Sequence, residues 1–265
     1  MGNVAEEVPG SFDDVEEEFH AFLDESLGPQ GPESLYDLVT ALAVPAGAFV
    51  VDVGCGRGQA SLQLAARFGY RVLGIDPTPR QPRPGEDAGI DDVARDLVQF
   101  AQGKAEAIPA EDASVDLLWC RESLMFADLA AAAAEFNRVL RPGGHVLAYQ
   151  VLRGPELSDV EAEALTRAEG GRFMRPDDLD EALTGAGLVI HTRVDYSSEW
   201  GERAQEREGT AGKRLLYAAR LRRDPQRYIT RFGQSNYDIM LMDCLWHVYR
   251  LIGKLAGYAC VATRP

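Results

Sequence analysis

Short β-branched runs recur along this chain, separated by stretches in which apolar residues return every three or four positions. The runs are Val50–Val53, Arg71–Asp76, Val98–Ala101, Val115–Cys120, His145–Val151, Leu188–Val194 and Gly257–Ala262. Each reads as a buried strand. Between them, Ala60, Leu62, Leu64 and Ala65 predict a helix running to Phe68, and a short helix is expected over Asp91–Asp96. Asp128 opens an alanine-rich helix through Phe136, Val139 and Leu140, with Pro142-Gly143-Gly144 as its expected stop. Further helices are expected over Glu156–Arg167 and from Pro176 to near Gly185 and Gly187. Strands alternating with helices imply right-handed crossovers and a mostly parallel sheet.

The flanks read differently. Residues 1–10 look like a disordered tail, after which Ser11 caps an acidic amphipathic helix carrying Phe12, Val15, Phe19, Phe22 and Leu23. Gly28-Pro29-Gln30-Gly31-Pro32 breaks it, and Leu35, Leu38, Val39 and Leu42 predict a second helix packed near the first strand's end. Pro77–Gly85 is a proline-rich loop. Roughly sixty residues separate the sixth and seventh strands and read as helices broken at Pro225 and Gly233. A connection of that length carries structure of its own.

One stretch brings chemistry into this pattern. The first strand, Val50-Val51-Asp52-Val53, runs into Gly54-Cys55-Gly56-Arg57-Gly58, and a helix follows. Alternate glycines permit a tight turn and remove Cβ atoms from the path of a ligand. The amides opening the helix lack partners within it and face the crevice. Asp76 ends the next strand, 18 positions beyond Gly58. An acidic residue at about that distance accepts hydrogen bonds from ribose hydroxyls in nucleotide-binding crossovers. The spacing differs from the GxGxxG of dinucleotide sites.

Composition narrows the class. With 265 residues, 46% of them hydrophobic, one elaborated α/β domain is expected. No apolar run is long enough to span a bilayer, and the acidic start lacks the features of a signal peptide, so a soluble, cytoplasmic protein without membrane contact is expected. Net charge of −15 argues against a nucleic-acid partner. That charge is uneven: no Lys or Arg precedes Arg57, whereas the stretch from Arg203 to Arg231 is rich in arginine. Cys55, Cys120, Cys244 and Cys260 show no metal-ligand spacing and read as free thiols, so no metal site is expected.

Together, VVDVGCGRG, the GID at Gly74–Asp76, GKAEAIP from Gly103 and RVLRPGG from Arg138 fall in one order and spacing. In these motifs the chain resembles the class I S-adenosylmethionine-dependent methyltransferases, from about Leu35 to Val151 plus the closing strands. The resemblance implies a Rossmann-like doubly wound α/β sheet of seven strands, order 3-2-1-4-5-7-6, with the last strand antiparallel and a helical cap. It divides the chain into an N-terminal helical arm (1–44), a cofactor-binding domain (45–197 plus 256–265) and a cap insertion (198–255).

S-adenosylmethionine is the implied cofactor. By the same resemblance, Asp52 supports its methionine end, and Gly54, Cys55, Gly56 and Gly58 form the turn. Asp76 holds the ribose, Pro77 lies near the adenine, and the Ala105 amide meets an adenine ring nitrogen. The backbone of Cys120 and Arg121 meets the methionine amine. The family often carries Asp before that alanine, where this chain has Lys104, which accepts no hydrogen bond. Glu106 is the expected substitute.

The acceptor is expected against the N-terminal helices and the cap, where Tyr237, Trp246 and His247 are candidate substrate-binding residues. Ile239, Met242, Trp246 and Tyr249 share one helical face, as core packing alone would also arrange them. His247 is the candidate base, with His20 a weaker one, while His145 and His191 read as structural. Arg121 pairs either a substrate carboxylate or one within the site, such as Glu122. The leading reading is methyl transfer to an O, N, C or S atom of a small-molecule metabolite or natural product, by a protein that forms a homodimer or acts alone. A rearrangement or cyclisation on the same fold is the alternative, and a noncatalytic cofactor-binding scaffold is the remaining one.

Overall fold

The computed structural model describes residues 19–20, 22–23, 29–78 and 90–265. Of the expected N-terminal helix, only Phe19, His20, Phe22 and Leu23 fall among them. Those four are helical and exposed. The tail, the Ser11 cap and most of the proline-rich loop lie outside the described residues.

Seven strands form one sheet: β1 (Phe49–Val53), β2 (Arg71–Asp76), β3 (Val98–Gln102), β4 (Val115–Arg121), β5 (Leu140–Arg153), β6 (Val189–Ser197) and β7 (Leu255–Thr263). Their order is β3-β2-β1-β4-β5-β7-β6. β7 pairs antiparallel with both neighbours, and the other pairings are parallel. Sheet order and strand direction agree with the expectation.

Besides those helical N-terminal residues, ten α-helices and a 3₁₀ turn (Leu124–Phe126) complete the described fold: α1 (Glu33–Ala41), α2 (Gln59–Phe68), α3 (Asp92–Asp96), α4 (Leu129–Val139), α5 (Asp159–Glu169), α6 (Pro176–Gly185), α7 (Glu199–Glu208), α8 (Thr210–Arg223), α9 (Pro225–Phe232) and α10 (Gln234–Leu251).

Strand pleating sorts the core into two layers. In β4, Leu117 and Trp119 face a cluster with Leu35 and Tyr36 of α1, Leu64 of α2, Leu165 of α5 and Trp200 of α7. Leu118 and Cys120 face the other layer, with Phe136 of α4 and Leu183 of α6. β4 is therefore apolar on both sides, as a central strand of a parallel sheet covered by helices requires. Helices α8 to α10 share a small cluster of their own around Ala218, Leu221, Tyr237, Cys244 and Leu245.

Local rules account for most element ends. Asp128 accepts the Ala131 N–H at 3.0 Å and starts α4. Ser158 and Glu161 form a reciprocal capping box at α5. Two boundaries depart from the sequence expectation. Pro142-Gly143-Gly144 does not stop the helix, which ends at Val139; these residues belong to β5. The C-terminal chain recruits them: Gly143 N–H donates to Arg264 O (2.8 Å) and Arg264 N–H to Gly144 O (3.0 Å). A third break also divides the helices after β6, at Gly209, whose φ of 65° caps both α7 and α8.

Candidate active site

The carboxyl ends of β1, β2 and β4 converge on a crevice of about 510 Å³. Its lining runs from Val53 and Gly54 through Asp76–Thr78 and Gly103–Glu106 to Glu122, Ser123, Phe126 and Ala127. Parallel α/β sheets bind ligands at this end, and the volume lies in the range of small-molecule sites.

The glycine turn is held from beneath. Gly54 and Cys55 N–H groups both donate to Ile75 O, at 2.8 and 2.9 Å. Gly54 takes φ 79° and Gly58 φ 78°. A Cβ at Gly54 would overlap the Ser123 side chain, and one at Gly58 would overlap the Phe100 ring. Two of the three glycines are thus demanded by the protein's own packing as well as by the turn.

Asp76 is fixed at the tip of β2. Its Oδ2 accepts the Gly56 N–H (3.1 Å) and its Oδ1 the Thr78 N–H (2.8 Å), and each oxygen retains acceptor capacity. Asp52 lies deeper, 2% exposed, where Ser61 Oγ donates to its Oδ2 at 2.6 Å. Burial pushes the Asp52 carboxyl up to about 6, against the opposing pull of the Ser61 hydroxyl and the Arg121 guanidinium. Glu106 Oε1 accepts the Asp128 N–H at 2.8 Å, which ties the Gly103–Glu106 loop to the start of α4. Burial pushes the Cys55 and Cys120 thiols up to about 12, so both stay protonated and act as packing residues.

The far end of the crevice is assembled differently. Glu122 follows β4 with a left-handed φ of 53°, sterically costly for a side chain of this size. Its N–H donates to Tyr149 O at 2.8 Å. Arg250 of α10 reaches in from the inserted helices. Its Nη1 stands 3.6 Å from Glu122 Oε1 and its Nη2 donates to the Tyr149 hydroxyl at 3.2 Å. Trp246 lies under the Arg250 guanidinium, 4.6 Å from ring centroid to Cζ. Glu122 therefore finds its cationic partner in Arg250, while Arg121 sits over the Trp200 ring at 5.6 Å. Trp200 in turn stacks on Tyr149 at 3.9 Å.

Among the described residues, three buried side-chain polar atoms have no hydrogen-bond partner: Trp119 Nε1, Glu122 Oε1 and Trp200 Nε1. All three belong to the carboxyl end of β4 or to the aromatic stack against it. Buried polar atoms without a hydrogen bond are rare in folded proteins.

Of the residues expected to meet the cofactor, Gly54, Asp76, Pro77, Ala105 and Glu106 line the crevice. Asp52, Cys55, Gly56 and Gly58 form its floor and turn, and Cys120 and Arg121 end the strand leading to it. Sequence reasoning did not assign Thr78, Ser123 or Phe126 to the lining. Thr78 and Ser123 carried a positional signal, each standing two residues beyond a strand end, whereas Phe126 lies in the 3₁₀ turn that follows β4. Tyr237, Trp246 and His247 are not among the lining residues. Tyr237 donates to Leu221 O within the α8–α10 cluster, at 3.4 Å. His247 Nε2 is 3.9 Å from Asp243 Oδ1, and burial holds its pKa below the usual value, with Asp243 opposing. His145 and His191 share the Thr263 hydroxyl at 2.9 and 2.6 Å, in keeping with a structural role.

The family described as "Methyltransferase domain" matches residues 51–148. The 27-O-demethylrifamycin SV methyltransferase of Amycolatopsis mediterranei (strain S699) is 30% identical over 189 residues, covering 68% of this chain and 70% of that protein. The chain belongs to the class I S-adenosylmethionine-dependent methyltransferases. Methyltransferase GfsG of Streptomyces halstedii is 34% identical over 177 residues, covering 65% of this chain and 63% of that protein. This methyltransferase thus spans about two thirds of the length of each relative. The structure of the 4+2 cyclase SpnF shares the fold, with a TM-score of 0.61 at 23% identity over 88% of this chain and 81% of that one.

The family's cofactor is S-adenosylmethionine, and the crevice of this methyltransferase suits it. A nucleoside needs an anchored acceptor for its hydroxyls, and Asp76 is held by two backbone donors with lone pairs to spare. A cationic methionine end needs negative charge nearby, and Asp52 lies under the turn. When bound, the cofactor supplies a methyl group activated by a sulfonium leaving group.

Proposed function

We propose that this methyltransferase methylates a small-molecule acceptor with a mainly apolar body, and that the α7–α10 segment caps the acceptor side of the crevice. The observation that carries this reading is the asymmetry of the crevice. One end holds the anchored Asp76 carboxylate, and the other holds Glu122, whose Oε1 makes no hydrogen bond and faces Arg250 of the inserted helices. In this reading Asp76 takes the ribose hydroxyls. Pro77, Ala105 and the free oxygen of Glu106 border the adenine. Asp52, the backbone of Gly54, Cys55 and Gly56, and the ends of Cys120 and Arg121 serve the methionine portion.

Because the leaving group arrives activated, the protein's work is to align the acceptor and exclude water. Arg250, stacked on Trp246 and bonded to Tyr149, ties the inserted helices to the sheet at the point where such alignment is needed. A small acceptor is supported by the named substrate of the rifamycin-modifying relative and by the net charge of −15, which disfavours a polyanionic one.

The test is incubation with methyl-labelled S-adenosylmethionine and two acceptors, 27-O-demethylrifamycin SV and hydroquinone, followed by mass spectrometry. Label in either product is expected. Cofactor binding without label in any product would overturn the reading. An altered acceptor of unchanged mass would favour the rearrangement that the likeness to SpnF suggests.

A further inference from the structure

We infer that Glu122 is the proton acceptor for a hydroxyl on the acceptor molecule, which makes this protein an O-methyltransferase. The inference rests on the methyl-transfer reading above and adds to it the accepting atom and the residue that serves it. Three independent observations converge on Glu122. Its Oε1 is buried without a hydrogen-bond donor, a costly state for a carboxylate oxygen. Its backbone holds a left-handed φ of 53°, a conformation kept at functional sites when the surroundings enforce it. It is among the residues lining the crevice, and its side chain is 29% exposed.

The neighbours explain how the carboxylate is held ready. Arg250 approaches Oε1 at 3.6 Å, close enough for Coulombic attraction and too far for a hydrogen bond. The guanidinium is itself committed to the Tyr149 hydroxyl and the Trp246 ring. Glu122 is thus oriented through Oε1, while the side chain as a whole, 29% exposed, leaves room for a donor from outside the protein. A hydroxyl group is such a donor. Arg250 is the positioning residue, and Glu122 is the group that touches the acceptor.

The step balances as follows. The acceptor oxygen forms its bond to the methyl carbon as the sulfur–methyl bond breaks, its electron pair remaining on sulfur. The hydroxyl proton passes to the Glu122 carboxylate, and from there to solvent. Neutral S-adenosylhomocysteine and a methyl ether leave.

Two measurements test this. In the first, Glu122→Gln is assayed with the two acceptors used above. We expect kcat to fall by about 100-fold or more, with S-adenosylmethionine affinity by calorimetry within about threefold of wild type and an unchanged melting temperature. Glu122→Asp should recover part of the rate, and Glu122→Gln should lose more than His247→Ala. A rate near wild type, a parallel loss of cofactor affinity, or a larger loss in His247→Ala would each overturn the assignment. The second measurement needs no turnover. The carboxyl carbon resonance of Glu122, identified by its absence in Glu122→Gln, is followed in protein loaded with S-adenosylhomocysteine. Hydroquinone should shift it and hydroquinone dimethyl ether should not; equal responses would overturn the assignment. If neither acceptor is methylated, the methyl-transfer reading fails for these acceptors, and this second measurement still decides the role of Glu122.

Discussion

The two ends of the crevice differ in how far apart in the chain their parts lie. At the nucleotide end, Gly56 reaches Asp76 across 20 residues and Gln102 reaches Pro77 O across 25. Each part is a turn leaving one of three adjacent parallel strands, so the sheet positions all of them together. At the acceptor end, the Arg250–Tyr149 bond spans 101 residues. Its geometry depends on four helices docked through a few aromatic contacts. Their own cluster has five buried residues, far fewer than either layer against the sheet. The nucleotide end is therefore a product of local turns on a rigid scaffold, and the acceptor end a product of long-range packing. Damage to the inserted helices should leave cofactor binding largely intact.

The strongest way to break that contrast is Trp200→Ala. The indole is 6% exposed and stacks on Tyr149 at 3.9 Å, joining α7 to the sheet. Removing it should cost about 3–5 kcal/mol in urea unfolding. The folded fraction should bind S-adenosylmethionine within about threefold of wild type while losing activity. A comparable loss of cofactor affinity would show that the two ends are coupled.

Next in size is the buried charge under the turn. The Asp52 carboxyl is raised from 3.8 to about 6 by burial. Between those values the native state keeps a proton that the unfolded chain has released, so this group makes stability fall as pH rises through that window. The full penalty is present above about 6 and corresponds to roughly 3 kcal/mol. Asp52→Asn should therefore gain on wild type by about that amount between about pH 3 and pH 7, read from denaturant unfolding at each pH. A constant difference would mean that Asp52 titrates normally.

Asp76→Ala probes the nucleotide end directly. Losing charge-assisted hydrogen bonds should weaken S-adenosylmethionine binding about 100-fold in calorimetry. The smallest effect belongs to the ion pair of Lys254 Nζ, just before β7, with Glu161 Oε1 of α5, at 2.6 Å. The lysine's hydrogen bond leads the causes that hold the Glu161 carboxyl down at about 2. Both side chains are about one quarter exposed, so Lys254→Met should cost only about 1 kcal/mol in thermal unfolding. A cost several times larger would mean that this contact helps to dock the inserted helices.

Much of the nucleotide end could be read from the chain because its signals are local. Gly54, Gly56 and Gly58 announce a turn, β-branched runs announce strands, and Asp76 closes the second strand at the expected interval. The signals failed where a distant segment supplied the partner. Pro142-Gly143-Gly144 has the composition of a helix stop, yet the C-terminal Arg264 draws it into β5. Arg121 and Glu122 are adjacent in the chain and invited pairing, yet Glu122 meets Arg250 from α10 and Arg121 turns to Trp200. Of the shared helical face, Met242, Trp246 and Tyr249 pack on the sheet-side core, while Ile239 remains exposed.

The amino-acid order by itself determined the strand and helix succession, the glycine turn and the carboxylate at the tip of β2. Each arises from backbone preferences and apolar periods that act within a few residues. Only the tertiary structure decided that a carboxylate beside β4 would bury one oxygen without a hydrogen bond, facing an arginine 128 positions later (122 to 250). Burial and electrostatic pairing are properties of neighbours in space, and no local spacing in the chain encodes which helix will arrive there.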